Sequence, residues 1–197
     1  MKRALDIAVS AATLVILSPV LILVAFLVRL DSPGPAIFRQ VRVGHQGAQF
    51  TILKFRTMYV AESGGPEITA RSDSRVTRIG KHLRRTKVDE LPQLINVLRG
   101  EMSLVGPRPE VPSYMALYTP PQRALILSVK PGVTDLAALE FRNEEELLAA
   151  AIDPHETYVQ DVMPRKYELY KQYVDHHNVR MDIVILWRTA AALVRRR

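Results

Sequence analysis

Between Ile7 and Val28 the chain carries no charged side chain and is dominated by Leu, Val, Ile and Ala, with Lys2, Arg3 and Asp6 before the run and Arg29 after it. In composition this is a membrane segment. About 20 apolar residues at a rise of about 1.5 Å just cross a hydrocarbon core of about 30 Å, so length alone permits a spanning helix. A cleaved signal peptide fits less well, because the run is long for one and no small-x-small site follows it. Ser18-Pro19 stands near the middle, where proline removes a backbone donor and its ring crowds the preceding turn, so a sharp bend is expected. Two arms of about 11 residues would each reach about 16 Å, which lets a bent segment enter one leaflet and return. Lys2 and Arg3 on one flank and Arg29, Arg39 and Arg42 on the other agree with both ends on the cytoplasmic side. Prolines also occur in straight-through helices, so on these residues alone both paths stay open.

Asp31-Ser-Pro-Gly-Pro35 ends the apolar segment, and Ala36 to Phe55 reads as strand, turn, strand, with the turn at Gly44-His-Gln-Gly47 and with Phe50, Ile52 and Leu53 giving the second strand its apolar character. His45 in that turn reads as solvated rather than as a ligand. Glu62 to Ser74, rich in Gly, Ser, Asp and Pro, reads as a surface loop. Val76 to Arg99 is a helical region with Leu91, Leu94, Ile95 and Leu98 on one face, ended by Gly100. Pro92 is tolerated only near a helix start, which puts Asp89 close to an N-cap, where a carboxylate serves capping alone. Gly106-Pro-Arg-Pro109 cannot be helical and presents Arg108 from a stiff, extended backbone. Lys130-Pro-Gly132 is a further turn, Glu144 to Ala151 a short helix, and Pro164 to Tyr173 a helix opening on proline. Met181 to Arg197 is a basic amphipathic helix containing Trp187, suited either to a membrane interface or to core packing.

The 197 residues suffice for one domain with attachments. The elements predict an α+β, mostly helical fold: an N-terminal membrane helix, broken at Ser18-Pro19 if re-entrant, over residues 1–30, and a cytosolic domain over 31–197 with a small β-hairpin and amphipathic interfacial helices. The absence of cysteine excludes disulfides, thiolate catalysis and cysteine-ligated zinc. A formal charge of +7 calls for an anionic partner: nucleic acid, lipid headgroups or phosphorylated substrates.

Asp89 and Glu90 lie in a cationic neighbourhood, preceded by Lys81, Arg84, Arg85 and Lys87 and followed by Arg99 and Arg108. Such bases bind diphosphate, and paired carboxylates hold a divalent cation that neutralises it. A solvated face of weak ion pairs is the simpler reading of the same run.

Lys54-Phe-Arg-Thr-Met58, Asp89-Glu-Leu-Pro-Gln-Leu94 and Ser103-Leu-Val-Gly-Pro-Arg-Pro109, in this order, resemble the bacterial sugar transferase family, the small monotopic phosphoglycosyl transferases. The Lys-Arg start, Ser18-Pro19, Arg39-Gln-x-Arg-Val-Gly44 and Lys130-Pro-Gly-Val-Thr134 extend the likeness. The resemblance implies a re-entrant membrane helix at the cytoplasmic face of the bacterial inner membrane. It further implies transfer of a sugar-1-phosphate from a UDP-sugar to polyprenyl phosphate, with undecaprenyl phosphate as the expected acceptor, and release of UMP. This would be the first membrane step of glycoconjugate assembly. By the same resemblance Asp89 is the nucleophile that becomes a phosphosugar ester, Glu90 is its partner, and Mg²⁺ is held through Asp89 or Glu90. Arg108 grips phosphate oxygens. Lys54 and Arg56 are weaker candidates for phosphate or structural contacts, and Arg142 is the counterpart of a family arginine. After Thr134 the chain departs from many relatives, reading Asp135-Leu-Ala-Ala-Leu-Glu-Phe-Arg-Asn143, so sugar or uridine contacts there do not carry over. UDP-sugar, polyprenyl phosphate and membrane lipids are the partners implied, with a homodimer allowed and no nucleic acid. The competing reading is a non-catalytic, membrane-anchored basic binding module, which lacks the interleaved aromatics of a nucleic-acid surface.

Overall fold

The computed structural model describes residues 1–60 and 73–194, with the side chains of 145 and 194 excepted. The expected surface loop therefore lies almost wholly outside the described residues, as do the three C-terminal arginines.

The apolar segment forms one helix, α1, Lys2–Asp31, which the expected break at Ser18-Pro19 does not divide. Pro19 has no amide to give the Val15 carbonyl, and the Ser18 hydroxyl donates to that oxygen instead at 2.8 Å. The helix is long and apolar enough to cross a membrane by length and composition. One stripe of it is docked on the rest of the chain: Asp6, Ser10, Val24 and Val28 are buried, with Leu14 and Leu21 half-buried between them. The opposite stripe is exposed and apolar, with Val15, Ile16, Ile22, Phe26 and Leu30 more than half exposed.

β1 (Ile37–Val43) and β2 (Gln49–Phe55) form the antiparallel hairpin, Ile37 opposite Phe55 and Val43 opposite Gln49. The turn uses left-handed backbone at Gln46 (φ 55°) and Gly47 (φ 80°), the second favouring glycine. The expected helical region divides in two. Helix α2 (Arg78–Thr86) stops at Lys87, which adopts φ 58° and returns its amide to the Arg84 and Leu83 carbonyls. A 3₁₀ turn, Val88–Glu90, leads to α3 (Gln93–Arg99), closed by Gly100 at φ 84°. Asp89 is thus in a turn, and the capping role expected of it is not made: position Pro92 begins α3 without a side-chain cap. Ile95 is exposed, whereas Gln93, Asn96 and Val97 are buried. Helix α3 is wedged between α1 and β2, so its polar side chains serve backbone there: Asn96 accepts from Leu53 N (3.1 Å) and donates to Thr51 O (2.8 Å).

β3 (Ser103–Val105) and β4 (Gly132–Thr134) form a short parallel pair. Gly106 and Gly132 meet so closely that a Cβ on either would strike the backbone of the other strand's segment, which explains a glycine in each. The remaining chain is helical: α4 (Pro112–Met115), α5 (Pro120–Ile126), α6 (Leu136–Glu140), α7 (Glu144–Ala150), α8 (Pro154–Thr157), α9 (Met163–His176) and α10 (Val179–Val194). The helix expected to open at Pro164 continues from α8 through a π turn, Tyr158–Val162, just where proline lacks an amide for the regular ladder. Tyr114, Met115, Tyr158, Val162, Met163 and Tyr170 form one core, and Ile52, Val97, Met102, Val105, Tyr173 and Ile185 a second under α1 and α10. Helix α10 packs into the core on one face and exposes another, since Ile185 is 1% exposed and Trp187 is 74% exposed.

Candidate active site

The turn Val88–Glu90 is fixed from both sides, by Val88 packed with Phe55 and Leu83 and by Leu91 packed with the second core. A non-glycine left-handed residue at Lys87 costs on the order of 1 kcal/mol and directs the chain back over β2. Glu90 Oε1 then receives two cations, Lys54 Nζ from β2 at 2.9 Å and Arg108 Nη2 from the segment after β3 at 2.7 Å. Three stretches remote in sequence meet on one oxygen.

Burial, with the Glu90 charge beside it, pushes the Asp89 carboxyl up to about 6 against the pull of Lys54 and Lys87. Burial acts on Glu90 in the same direction, but Arg108, Lys54 and Lys87 outweigh it and hold the carboxyl well below its ordinary range. Glu90 in turn raises Arg108. Burial lowers the Lys54 ammonium to about 8, although Glu90 opposes the shift. Adjacent acids are therefore driven apart: Glu90 is a fixed anion, and Asp89 is a carboxylate poised near neutrality. Asp89 is 8% exposed, and its Oδ1 has no hydrogen-bond partner among the described residues.

A cavity of about 910 Å³ opens beside the turn. Lys87, Glu90, Arg108, Asp135 and Arg142 contribute to its wall, and Asp89, next to Glu90 in the chain, is not itself among the lining residues. Arg142 stands apart from the Glu90 cluster, on the exposed rim. Arg56 takes the structural one of its two expected roles: it is 4% exposed, and its guanidinium donates to the carbonyls of Val28, Ser32 and Pro33 at the end of α1. That arrangement leaves it no place among the phosphate contacts.

Asp135 carried no assigned role from sequence. It is 2% exposed, burial pushes its carboxyl up to about 6, and it caps α6 by accepting from Ala138 N at 2.6 Å. Most of the departing run, Asp135 to Asn143, lines the cavity, with Leu136 and Glu140 turned elsewhere. Only the run's departure from the expected pattern could have marked it. Among the described residues there is no group of three or more His, Asp or Glu side chains able to enclose a metal ion.

The model of the family described as "Bacterial sugar transferase" matches residues 1–196. The chain belongs to the bacterial sugar transferase family. Among curated relatives, the UDP-glucose:undecaprenyl-phosphate glucose-1-phosphate transferase of Caulobacter vibrioides is 49% identical over 140 residues, covering 69% of this chain and 52% of the relative. The Escherichia coli protein of that name is 39% identical over 193 residues, covering 96% of this chain and 39% of the relative. The UDP-N-acetylgalactosamine-undecaprenyl-phosphate N-acetylgalactosaminephosphotransferase of Aeromonas hydrophila is 33% identical, covering 98% and 43%. The chain thus spans about half the length, or less, of these relatives. This member of the bacterial sugar transferase family keeps the Lys54, Asp89-Glu90 and Arg108 stretches together in space, as their joint presence in sequence suggested.

Proposed function

We propose that this chain transfers a sugar-1-phosphate from a UDP-sugar to undecaprenyl phosphate and releases UMP. The observation that carries the reading is Asp89: a buried carboxylate with an unpartnered oxygen, next to a Glu90 already neutralised by Lys54 and Arg108. Glu90 is occupied in holding cations, which leaves Asp89 as the group free to form a bond. In the first step an Asp89 oxygen attacks the phosphorus that bears the sugar, the bond from that phosphorus to the bridging oxygen breaks, and UMP leaves. In the second, a phosphate oxygen of the lipid attacks the same phosphorus and the Asp89 carboxylate is regenerated, giving a sugar diphosphate lipid. Splitting the transfer lets two dissimilar substrates use one site in turn.

Arg108, whose fork is held at the cavity wall by Glu90, stabilises charge on the phosphoryl oxygens. Mg²⁺ fits the hard oxygen of Asp89 or Glu90, since it is commonly held by one or two carboxylates together with substrate phosphates, and it would neutralise the diphosphate. Lys87 and Arg142 supply further positive charge along the wall.

A monotopic placement on the cytoplasmic face of the inner membrane is part of the same reading. The start of α1 is tied to β3 and α10 through Lys2 and Asp6, and its end to β2 and α2 through Arg56 and Asp31. Both ends of the helix are docked on one folded body, which supports a segment that enters and leaves the bilayer on the same side. The exposed apolar stripe of α1 and Trp187 supply surface for lipid.

Incubation with UDP-sugars, Mg²⁺ and undecaprenyl phosphate tests the assignment. UMP release that Asp89→Asn abolishes is the expected result. Release of UDP, or full turnover by a folded Asp89→Asn protein, overturns it.

A further inference from the structure

The wall of the cavity beside Glu90 combines two kinds of side chain. Lys87, Glu90 and Arg108 are among its charged residues, and Val9 of α1, Leu139 of α6, and Leu186, Ala190 and Leu193 of α10 are among its apolar ones, with Thr13 of α1 beside them. On α10 these last positions follow the spacing of one helical stripe. That stripe differs from the one buried in the core at Asp182 and Ile185 and from the outward one at Ile183, Val184 and Trp187. Leu186 of this stripe packs partly on the second core and Leu193 is 42% exposed, so the stripe runs along the cavity from the core edge out to the surface.

The two helices are pinned together at their beginnings, where Lys2 Nζ lies 2.7 Å from Asp182 Oδ2 and 3.1 Å from the Tyr173 hydroxyl. Beyond that vertex α1 packs chiefly on α3, α2 and β3, and α10 on α6, β3 and β4, rather than on each other. Thr189 Oγ1, 2.9 Å from Thr134 Oγ1, holds α10 against β4. The result is a cleft whose arms are α1 and α10 and whose floor leads to Arg108.

We propose that this cleft binds the proximal isoprene units of the lipid acceptor, with the lipid phosphate directed to Lys87 and Arg108. The inference rests on the phosphoglycosyl transfer proposed above and adds where its second substrate lies. The occupant is set by the mixed wall, because cations such as Lys87 and Arg108 together with apolar side chains from α1 and α10 complement an amphiphile with an anionic head. A nucleotide-sugar, polar throughout, gains nothing from Val9, Leu186 or Leu193. A volume of about 910 Å³ is that of a site for one ordinary ligand, so only the head and first units are enclosed. The rest of a long chain leaves between helices whose outer faces are apolar.

The test measures retention of radiolabelled undecaprenyl phosphate by the full chain in nanodiscs, alongside the KM values of both substrates. Ala190→Trp fills the cleft from α10, Thr13→Phe fills it from α1, and Val184→Trp adds the same bulk on the outward face as a control. Retention should fall about tenfold or more in both cleft variants and stay unchanged in Val184→Trp. The KM for the lipid should rise while that for UDP-sugar holds, and methyl phosphate, which has no isoprene unit to place in the cleft, should serve as an acceptor equally well, or equally poorly, with all of them. Equal retention in all proteins, or a parallel loss in Val184→Trp, overturns the cleft. A raised UDP-sugar KM in both cleft variants also overturns it, since the space would then belong to the donor. Loss of retention in the cleft variants with no UMP release by the unsubstituted chain would leave the cleft standing and remove the catalytic reading instead.

Discussion

Arg108 Nη2 lies 2.7 Å from Glu90 Oε1, an ion pair that closes 18 residues of chain and brings a proline-flanked arginine to the turn holding Asp89. The pair is largely withdrawn from water, with the Glu90 side chain 13% exposed. Removing one member of such a pair leaves an uncompensated charge. Arg108→Lys keeps the charge and loses the planar fork. Turnover should fall about 10²- to 10³-fold, in the range for one lost transition-state donor, with the fold retained. Steady-state kinetics and circular dichroism check this, and near-normal turnover by Arg108→Lys would remove the arginine from the chemistry.

Asp89 is expected to be costly to the fold that contains it. Its ordinary value of 3.8 rises to about 6, so between those values the folded protein binds the extra proton and stability falls as pH rises. Above about 6 the full penalty is present, at most about 3 kcal/mol from the size of the shift. Asp89→Asn should therefore melt higher than the parent at pH near 8, and the advantage should shrink as pH falls toward 4. Thermal melts across pH decide the matter. An asparagine protein that is less stable at every pH would mean that the carboxylate is structural.

The same shifts set an activity profile. Bond formation needs ionised Asp89, so kcat/KM should climb through about 6. Lys54 must stay charged to hold Glu90, and it loses its proton near about 8. A bell with those limbs is expected. Lys54→Arg should move the alkaline limb upward and leave the acid limb alone, and a profile unchanged by that substitution would separate Lys54 from the site.

The sequence carried the elements that depend on local pattern. The hairpin was legible because Gly44 to Gly47 interrupts the strands, and α9 because Pro164 marks its start, whereas the one- and two-turn helices α4, α5, α6 and α8 are too short to show a periodicity. The division between α2 and α3 was not legible, since Lys87 is an ordinary helix former and its left-handed backbone follows from packing on both sides. The β3 and β4 pair is only three residues a strand and joins segments far apart in the chain, so no periodicity announces it. In the site, the motifs marked Lys54, Glu90 and Arg108 as candidates, and the fold brings the two cations onto one carboxylate oxygen. Arg56 and Asp135 show what motifs leave out, because whether an arginine faces a ligand or a helix end is decided by the fold.

Arg56 leads to a prediction of the opposite kind. Its guanidinium satisfies carbonyls left open at the end of α1, so Arg56→Met should destabilise the protein by roughly 2–4 kcal/mol. The surviving folded fraction should keep the KM for UDP-sugar. Denaturant melts combined with active-site titration separate the two effects. A raised KM without loss of stability would place the guanidinium on substrate after all.

Ser18 is the remaining test of how α1 meets the membrane. Proline at 19 leaves the Val15 carbonyl without its helical donor, and the Ser18 hydroxyl fills the gap at 2.8 Å on a stretch exposed to the surroundings. In water such a carbonyl would be solvated at little cost, but in hydrocarbon an unpaired one costs several kcal/mol. Ser18→Ala should therefore weaken retention of the protein in membranes more than it alters the melting of detergent-solubilised protein, and Ser18→Thr should restore retention. Cysteines introduced near residues 2 and 45 should label from the same side in the parent, because both ends of α1 are held by one folded body. Labelling from opposite sides would mean that α1 crosses the bilayer, and the docking of its two ends would then have to be undone in the membrane.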